Sequence, residues 1–181
     1  LMQNAFGQGR IEMLDGTTRT ELVRLDHDAV YIGGCDSTYL YGIMRSQQGE
    51  EPTRWFRMER TTGQYETMPI PDTDHLCGVW NNQLVLFRER CAEPFASDKI
   101  SDYSLAGSYS SRFQNTSYDV VLYDPVTAQS RRLYSLNENS GSFTHAALYG
   151  DSLYLDTTLW ENPDDTPFNA IRLNLRNGEQ T

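Results

Sequence analysis

The chain has 181 residues and a formal net charge of −10, with 25 Asp and Glu against 15 Lys and Arg. An acidic balance repels phosphate backbones, and no basic stripe with interleaved aromatics offsets it, so nucleic acid is excluded as a partner. No apolar run approaches the roughly 20 residues that a membrane-spanning helix needs, so no membrane-spanning segment is expected.

Apolar residues alternate or cluster in short runs between turn signals, and helical spacing is poor throughout, so the expected class is all-β. Two strands, over 9–14 and 20–24, flank an Asp15-Gly16 turn. His27 then opens a longer unit. One strand runs to Ile32 and the Gly33-Gly34 pair, a second from Tyr39 to Met44, and a third through Trp55-Phe-Arg-Met58. A turn at Thr62 leads into a fourth strand, Tyr65-Glu-Thr-Met68. His75 opens a second unit, with strands over 76–80 and 84–87 about Asn81-Asn82. Its third strand is Val120-Val-Leu-Tyr123, followed by a turn at Thr127 and a strand over 130–134. His145 opens a third, with strands over 146–149 and 153–155 about Gly150-Asp151, a strand over 170–173 and a turn at Asn177. Its fourth strand is expected to begin at Thr181.

The closing turns at Thr62, Thr127 and Asn177 lie 65 and 50 residues apart. Several short strands repeating near this period are how a propeller blade reads in sequence. The expected architecture is therefore a partial β-propeller of four-stranded antiparallel blades, about three to four of them. They fall at 1–24 (partial), 25–70, 71–136 and 137–181 (partial). Terminal blades left open expose unpaired edges, so the segment is expected to belong to a longer polypeptide or to be covered by a partner chain.

The phrase Leu122-Tyr-Asp-Pro-Val-Thr127, closing a third strand, and the Gly33-Gly34 pair resemble the kelch-like and TolB-like propellers, including those of exported bacterial lipoproteins. The second and third units depart from kelch, with Asn81-Asn82 and Gly150-Asp151 in place of a Gly-Gly pair. The resemblance spans roughly 9–181. It implies an extracytoplasmic setting (periplasmic, cell-surface or secreted). It also implies a non-enzymatic scaffold that contacts a protein, peptide or glycan through loops on one face. The alternative is an accessory propeller of a prolyl-oligopeptidase-type or other hydrolase.

Catalytic motifs are missing from this stretch. Gly-x-Ser-x-Gly is absent, Gly107-Ser-Tyr-Ser-Ser111 opens no helix, and no Gly-rich loop is built to cradle phosphates. Asp164-Asp165 reads as a solvated turn, and no cofactor is implied. The candidate ligand-binding residues are His27, His75 and His145, which precede the first strand of each unit, with Tyr109 and Tyr149, whose rings could stack on a sugar or peptide. Two readings of the histidines stand side by side. With Asp26, Asp28 and Asp74 nearby, they could ring a divalent metal. Alternatively they lock each unit, as the loop histidine does in the WD-repeat blades that this spacing also resembles. Repetition in every unit favours the lock, and no metal site is assigned.

Cys35, Cys77 and Cys91 form no C-x-x-C, which excludes a zinc knuckle or a thioredoxin-like motif. Either all three are free, or Cys77 and Cys91 face each other across one hairpin. Fourteen of the fifteen basic residues are Arg, a choice that suits bidentate carboxylate contacts and that codon bias also produces. Between the second and third strands of the second unit lies an insertion, roughly 91–117, rich in Ser, Tyr and Asp. Its length marks it as a candidate functional loop.

Overall fold

Runs of Val, Leu, Ile, Tyr and Trp suit a pleated surface that packs on its faces, and Gly, Asn and Asp interrupt them at each reversal. The computed structural model describes residues 8–15, 17–26, 28–46, 53–71, 74–91, 116–136, 142–158 and 169–181. Every regular element among them is a β-strand, and all neighbouring strands are antiparallel. The first sheet is β1 (Gln8–Asp15) with β2 (Thr18–Asp26). The second runs in chain order through β3 (Asp28–Cys35), β4 (Tyr39–Ser46), β5 (Arg54–Glu59) and β6 (Tyr65–Met68). The third repeats that order with β7 (Asp74–Trp80), β8 (Gln83–Cys91), β9 (Thr116–Asp124) and β10 (Gln129–Leu136). The fourth comprises β11 (Ser142–Tyr149), β12 (Ser152–Thr158) and β13 (Asn169–Asn174). Gln180 forms an isolated bridge with Leu173, and Thr181 exchanges backbone hydrogen bonds with Arg172. The all-β class and four-stranded antiparallel sheets, over 28–68 and 74–136, are thus observed.

The expected turns at Thr62, Thr127 and Asn177 are one device used three times. In each, the fifth residue (Gly63, Ala128, Gly178) donates its N–H to the carbonyl of the first (Glu59, Asp124, Asn174) and takes a positive φ of 71°, 56° or 76°. Side-chain oxygens hold the loop. Asp124 Oδ1 accepts from the N–H of Val126 and Thr127, and Asn174 Oδ1 from that of Arg176. Thr62 Oγ1 accepts from Gln64 N–H, and Asn177 Oδ1 from Glu179 N–H. Asx and Ser/Thr residues favour turns because their short side chains can bond backbone two or three residues on.

The sheets stack face on face. Tyr41, Trp55, Met68 and Ile70 of the second sheet meet Leu84, Leu86 and Tyr123 of the third. From its other face the third sheet presents Val85, Val120 and Leu122 to Leu153, Leu155, Leu173 and Leu175 of the fourth. Ile11 of the first sheet packs on Val30, Met44, Phe56 and Met58 of the second. A sheet covered on both sides has no solvent face, which is why Leu84-Val85-Leu86 and Val120-Val121-Leu122-Tyr123 are apolar and buried without alternation. Burying each such side chain contributes about 1.5–3 kcal/mol.

Contact between first strands sets the spacing of the stack. The pairs Leu40↔Met58, Leu84↔Tyr123 and Leu153↔Leu173 bring the three sheets into common register. Gly34, Gly78 and Ala147 then occupy one position, opposite Tyr41, Val85 and Tyr154. A Cβ on Gly34 would lie 2.9 Å from Val79 Cγ2, and one on Gly78 would lie 2.8 Å from Leu148 Cδ2. Val79 and Leu148 are themselves one register position. The second and third sheets thus each offer a side-chain-free site on the first strand, and the next sheet fills it with an aliphatic knob. Gly78→Val is expected to overpack this contact and destabilise by about 1–3 kcal/mol, read from urea unfolding.

The turn after β3 carries an acid-sensitive bond set. Asp36 Oδ1 accepts from the N–H of Thr38 and Tyr39, and Oδ2 from the Tyr41 hydroxyl, each at 2.7 Å. Burial alone would raise the Asp36 carboxyl, but these bonds and the charge of Arg60 outweigh it and hold it below the usual range. A folded pKa below the unfolded value of about 3.9 gives stability that is full above that pH and lost as pH falls through the folded value. Calorimetry at neutral and acid pH is expected to show Asp36→Asn melting lower than the parent at neutral pH and losing less on acidification.

Candidate functional site

Meander topology sorts the connections into two ends. Close turns join first to second strands at 36–38, 81–82 and 150–151, and third to fourth strands at 60–64, 125–128 and 175–178. The other end carries every link between second and third strands, at 47–53, 92–115 and 159–168, together with the links between sheets. Gly34 approaches Val79 and Gly78 approaches Leu148, which sets the strand ends of neighbouring sheets together. The loop-bearing end is therefore the candidate site.

At this end the histidines separate. His75 is the second residue of β7, opposite Phe87, and is exposed. His145 in β11 pairs with Asp156, which matches Phe87 in register, so these two are true counterparts. In the second sheet that position is Tyr31, opposite Ile43. His27 lies four residues earlier, between β2 and β3 and outside the described residues, so the equivalence of all three histidines read from the sequence holds for only two. Tyr109 also lies outside the described residues. Tyr149 is exposed, but it ends β11 at the close-turn end, away from the histidines.

The buried ion pair at this end belongs to the neighbour of His75. Asp74, whose side chain is 0% exposed, accepts hydrogen bonds from Arg88 Nε and Nη2 at 2.7–3.0 Å. Arg88 stands opposite Asp74 on one side and Asp119 on the other, and Asp119 stands opposite Ser135, which donates its hydroxyl to the Asp119 carboxylate. One polar row thus crosses all four strands where the 92–115 connection leaves β8 and returns to β9. The bonds to Asp74, aided by the charges of Asp74 and Asp119 and opposed by burial, raise the Arg88 pKa above its already high value. The row was missed in sequence because Asp74, Arg88 and Asp119 are 14 and 31 residues apart and only strand register aligns them. Arg88 and Asp119 each stand six residues from their turn, but the bulge at Cys77 puts Asp74 seven residues from its own, so even this spacing is not uniform.

This arrangement bears on the metal reading. Both Asp74 oxygens are engaged by Arg88, and no group of three His, Cys, Asp or Glu among the described residues is placed to hold a metal ion. The cysteine alternatives also resolve. Cys77 lies between the pairs Leu76↔Leu86 and Gly78↔Val85, whereas Cys91 is five positions beyond Leu86 and faces Thr116. Five residues of strand span about 17 Å, against the roughly 7 Å limit between Cα atoms in a disulfide. Cys77 is free, with its thiol pushed up to about 12 by burial, and Cys35 is free and exposed.

No family model matches the chain, and no curated protein matches it. Among solved structures it is similar to a Synechocystis ACO mutant at 11% identity and a TM-score of 0.55, over 99% of this chain and 44% of that one. The chain thus spans less than half of that protein, and at this identity the likeness concerns the fold alone.

Breaking a buried pair by removing one partner costs about 3–5 kcal/mol, and the exposed part of Arg88 lowers that range. Arg88→Met is therefore expected to cost up to about 3 kcal/mol. His75→Ala is expected to stay within about 0.5 kcal/mol of the parent. Chemical unfolding of the two variants separates a lock at Asp74 from one at His75.

Proposed function

We propose that the sheets are successive blades of a β-propeller of the kelch-like or TolB-like kind, and that the chain is a non-enzymatic binding scaffold. Its ligand is a protein, peptide or glycan, met at the loop-bearing end. The observation that carries this reading is the contrast between the two ends. One is closed by repeated turns fastened with Asx, Thr and αL residues, while at the other the described strands end beside the buried Asp74–Arg88 ion pair, where the polar 92–115 connection departs from β8 and returns to β9. Binding residues concentrate on loops that a rigid scaffold positions. The extracytoplasmic setting follows from the resemblance to exported propellers. Face-to-face stacking of four-stranded meanders through their first strands supports the propeller reading.

The full chain should be screened on a glycan array and against a displayed peptide library, beside a variant with 92–115 replaced by a short Gly-Ser linker. The expected result is a ligand that the parent binds and the shortened variant loses, with melting unchanged. A ligand bound equally by both, and lost instead in Tyr149→Ala at the opposite end, would overturn the proposal.

A further inference from the structure

One row of residues crosses each sheet on the side that meets its successor. In the second sheet it is Gly34, Tyr41 and Arg57, in the third Gly78, Val85 and Leu122, and in the fourth Ala147, Tyr154 and Arg172. The first two rows are in use. Val79 and Leu148 seat on the two glycines, Tyr41 and Val85 are buried, and Arg57 Nη1 donates to the Pro125 carbonyl of the next sheet at 2.9 Å. At the end of β7, Trp80 Nε1 donates to Asp151 Oδ1 in the following sheet's turn at 2.9 Å. Tyr149 holds the position of Trp80 in the fourth sheet.

The row of the fourth sheet resembles that of the second, a small residue followed by Tyr and Arg, but it is uncovered, with Arg172 Nε donating within its own sheet to Ser152 Oγ at 3.1 Å. Ala147 and Arg172 are exposed, Tyr154 is 41% exposed where its counterparts Tyr41 and Val85 are at 1% and 0%, and Tyr149 is 80% exposed. We infer that Ala147, Tyr149, Tyr154 and Arg172 form a docking face for a further antiparallel sheet of the same build. Its first strand presents an aliphatic side chain to Ala147, its first turn an oxygen acceptor to the Tyr149 hydroxyl, and its closing turn a backbone carbonyl to Arg172. The occupied interfaces on the second and third sheets define each of these chemistries. The second sheet of another copy of this chain is not free to take this place, because Ile11 of its own first sheet already packs on Val30, Met44, Phe56 and Met58. The inference is independent of what the loop-bearing end binds.

The test appends residues 132–181 a second time after Thr181, which pairs with Arg172 as Arg131 of β10 pairs with Leu122. The added copy brings Leu148 and Asp151, already seated once on β7, to the open face. Slower amide exchange over 147–155 of the original copy and a higher melting temperature are expected. Both gains should vanish with Ala147→Arg in the original copy, a change that leaves melting of the 181-residue chain unaltered because Ala147 is exposed there. Unchanged exchange in the extended chain, or gains that survive Ala147→Arg, would overturn the inference. Self-association of the 181-residue chain that Ala147→Arg abolishes would also overturn it, by giving the face to a second copy.

Discussion

A sheet with two apolar faces cannot be stable alone, and this need for cover on both sides governs the rest of the molecule. The third sheet states it most strongly, since Leu84, Val85 and Leu86 point alternately to opposite neighbours and all three are buried. Neighbouring sheets must therefore approach closely, and the approach is closest at the first strands. There Gly34 and Gly78 give up their side chains so that Val79 and Leu148 can fill the space. A leucine contributes its burial energy only if the facing backbone leaves room, so seat and knob have to change together.

The two ends of the stack meet different requirements with different chemistry. At the close-turn end, carbonyls and carboxylates are satisfied locally, and Asp151 serves both its own sheet, through Arg176, and the preceding one, through Trp80. At the loop-bearing end the strands run on past the apolar core, and polar groups face the adjoining sheet. Asp74 there is wholly desolvated, which is tolerable only because Arg88 meets it bidentately. Arg suits this place better than Lys, since its planar fork engages both carboxylate oxygens in one geometry. Arg57, Arg88 and Arg176 all pair with carboxylates within the chain, so part of the Arg preference in the composition is structural.

Strand runs and turns were legible in the sequence because both are local. Val120-Val-Leu-Tyr123 between a polar insertion and Asp124-Pro125 can hardly be anything but a buried strand, and Thr62, Thr127 and Asn177 mark turns whose bonds close within a few residues. What depends on register was not legible. His27 resembles His75 and His145 in its distance from an apolar run, but the strand pairing puts Tyr31 at their position. A bulge at Gly33 and another at Cys77 each add a residue that spacing alone miscounts. The Asp74–Arg88–Asp119–Ser135 row fails for the same reason, being a cross-strand feature with no contiguous signature. The Gly33-Gly34 pair is visible as a motif, while its physical purpose, space for Leu76 and Val79, lies on another sheet.

Because each sheet is made of consecutive strands and packs on the one before it, the molecule can assemble in the order in which it is synthesised. Contacts within a sheet are short in sequence separation, which favours rapid closure, and stacks bound only to nearest neighbours propagate from any formed unit. Once the second sheet has left the ribosome with Gly34 in place, it is a template on which β7 seats Val79 as soon as it emerges. The third then offers Gly78 to Leu148. The seats thus give the nascent chain a direction of growth, each finished sheet recruiting the next before the apolar face it exposes can find another partner.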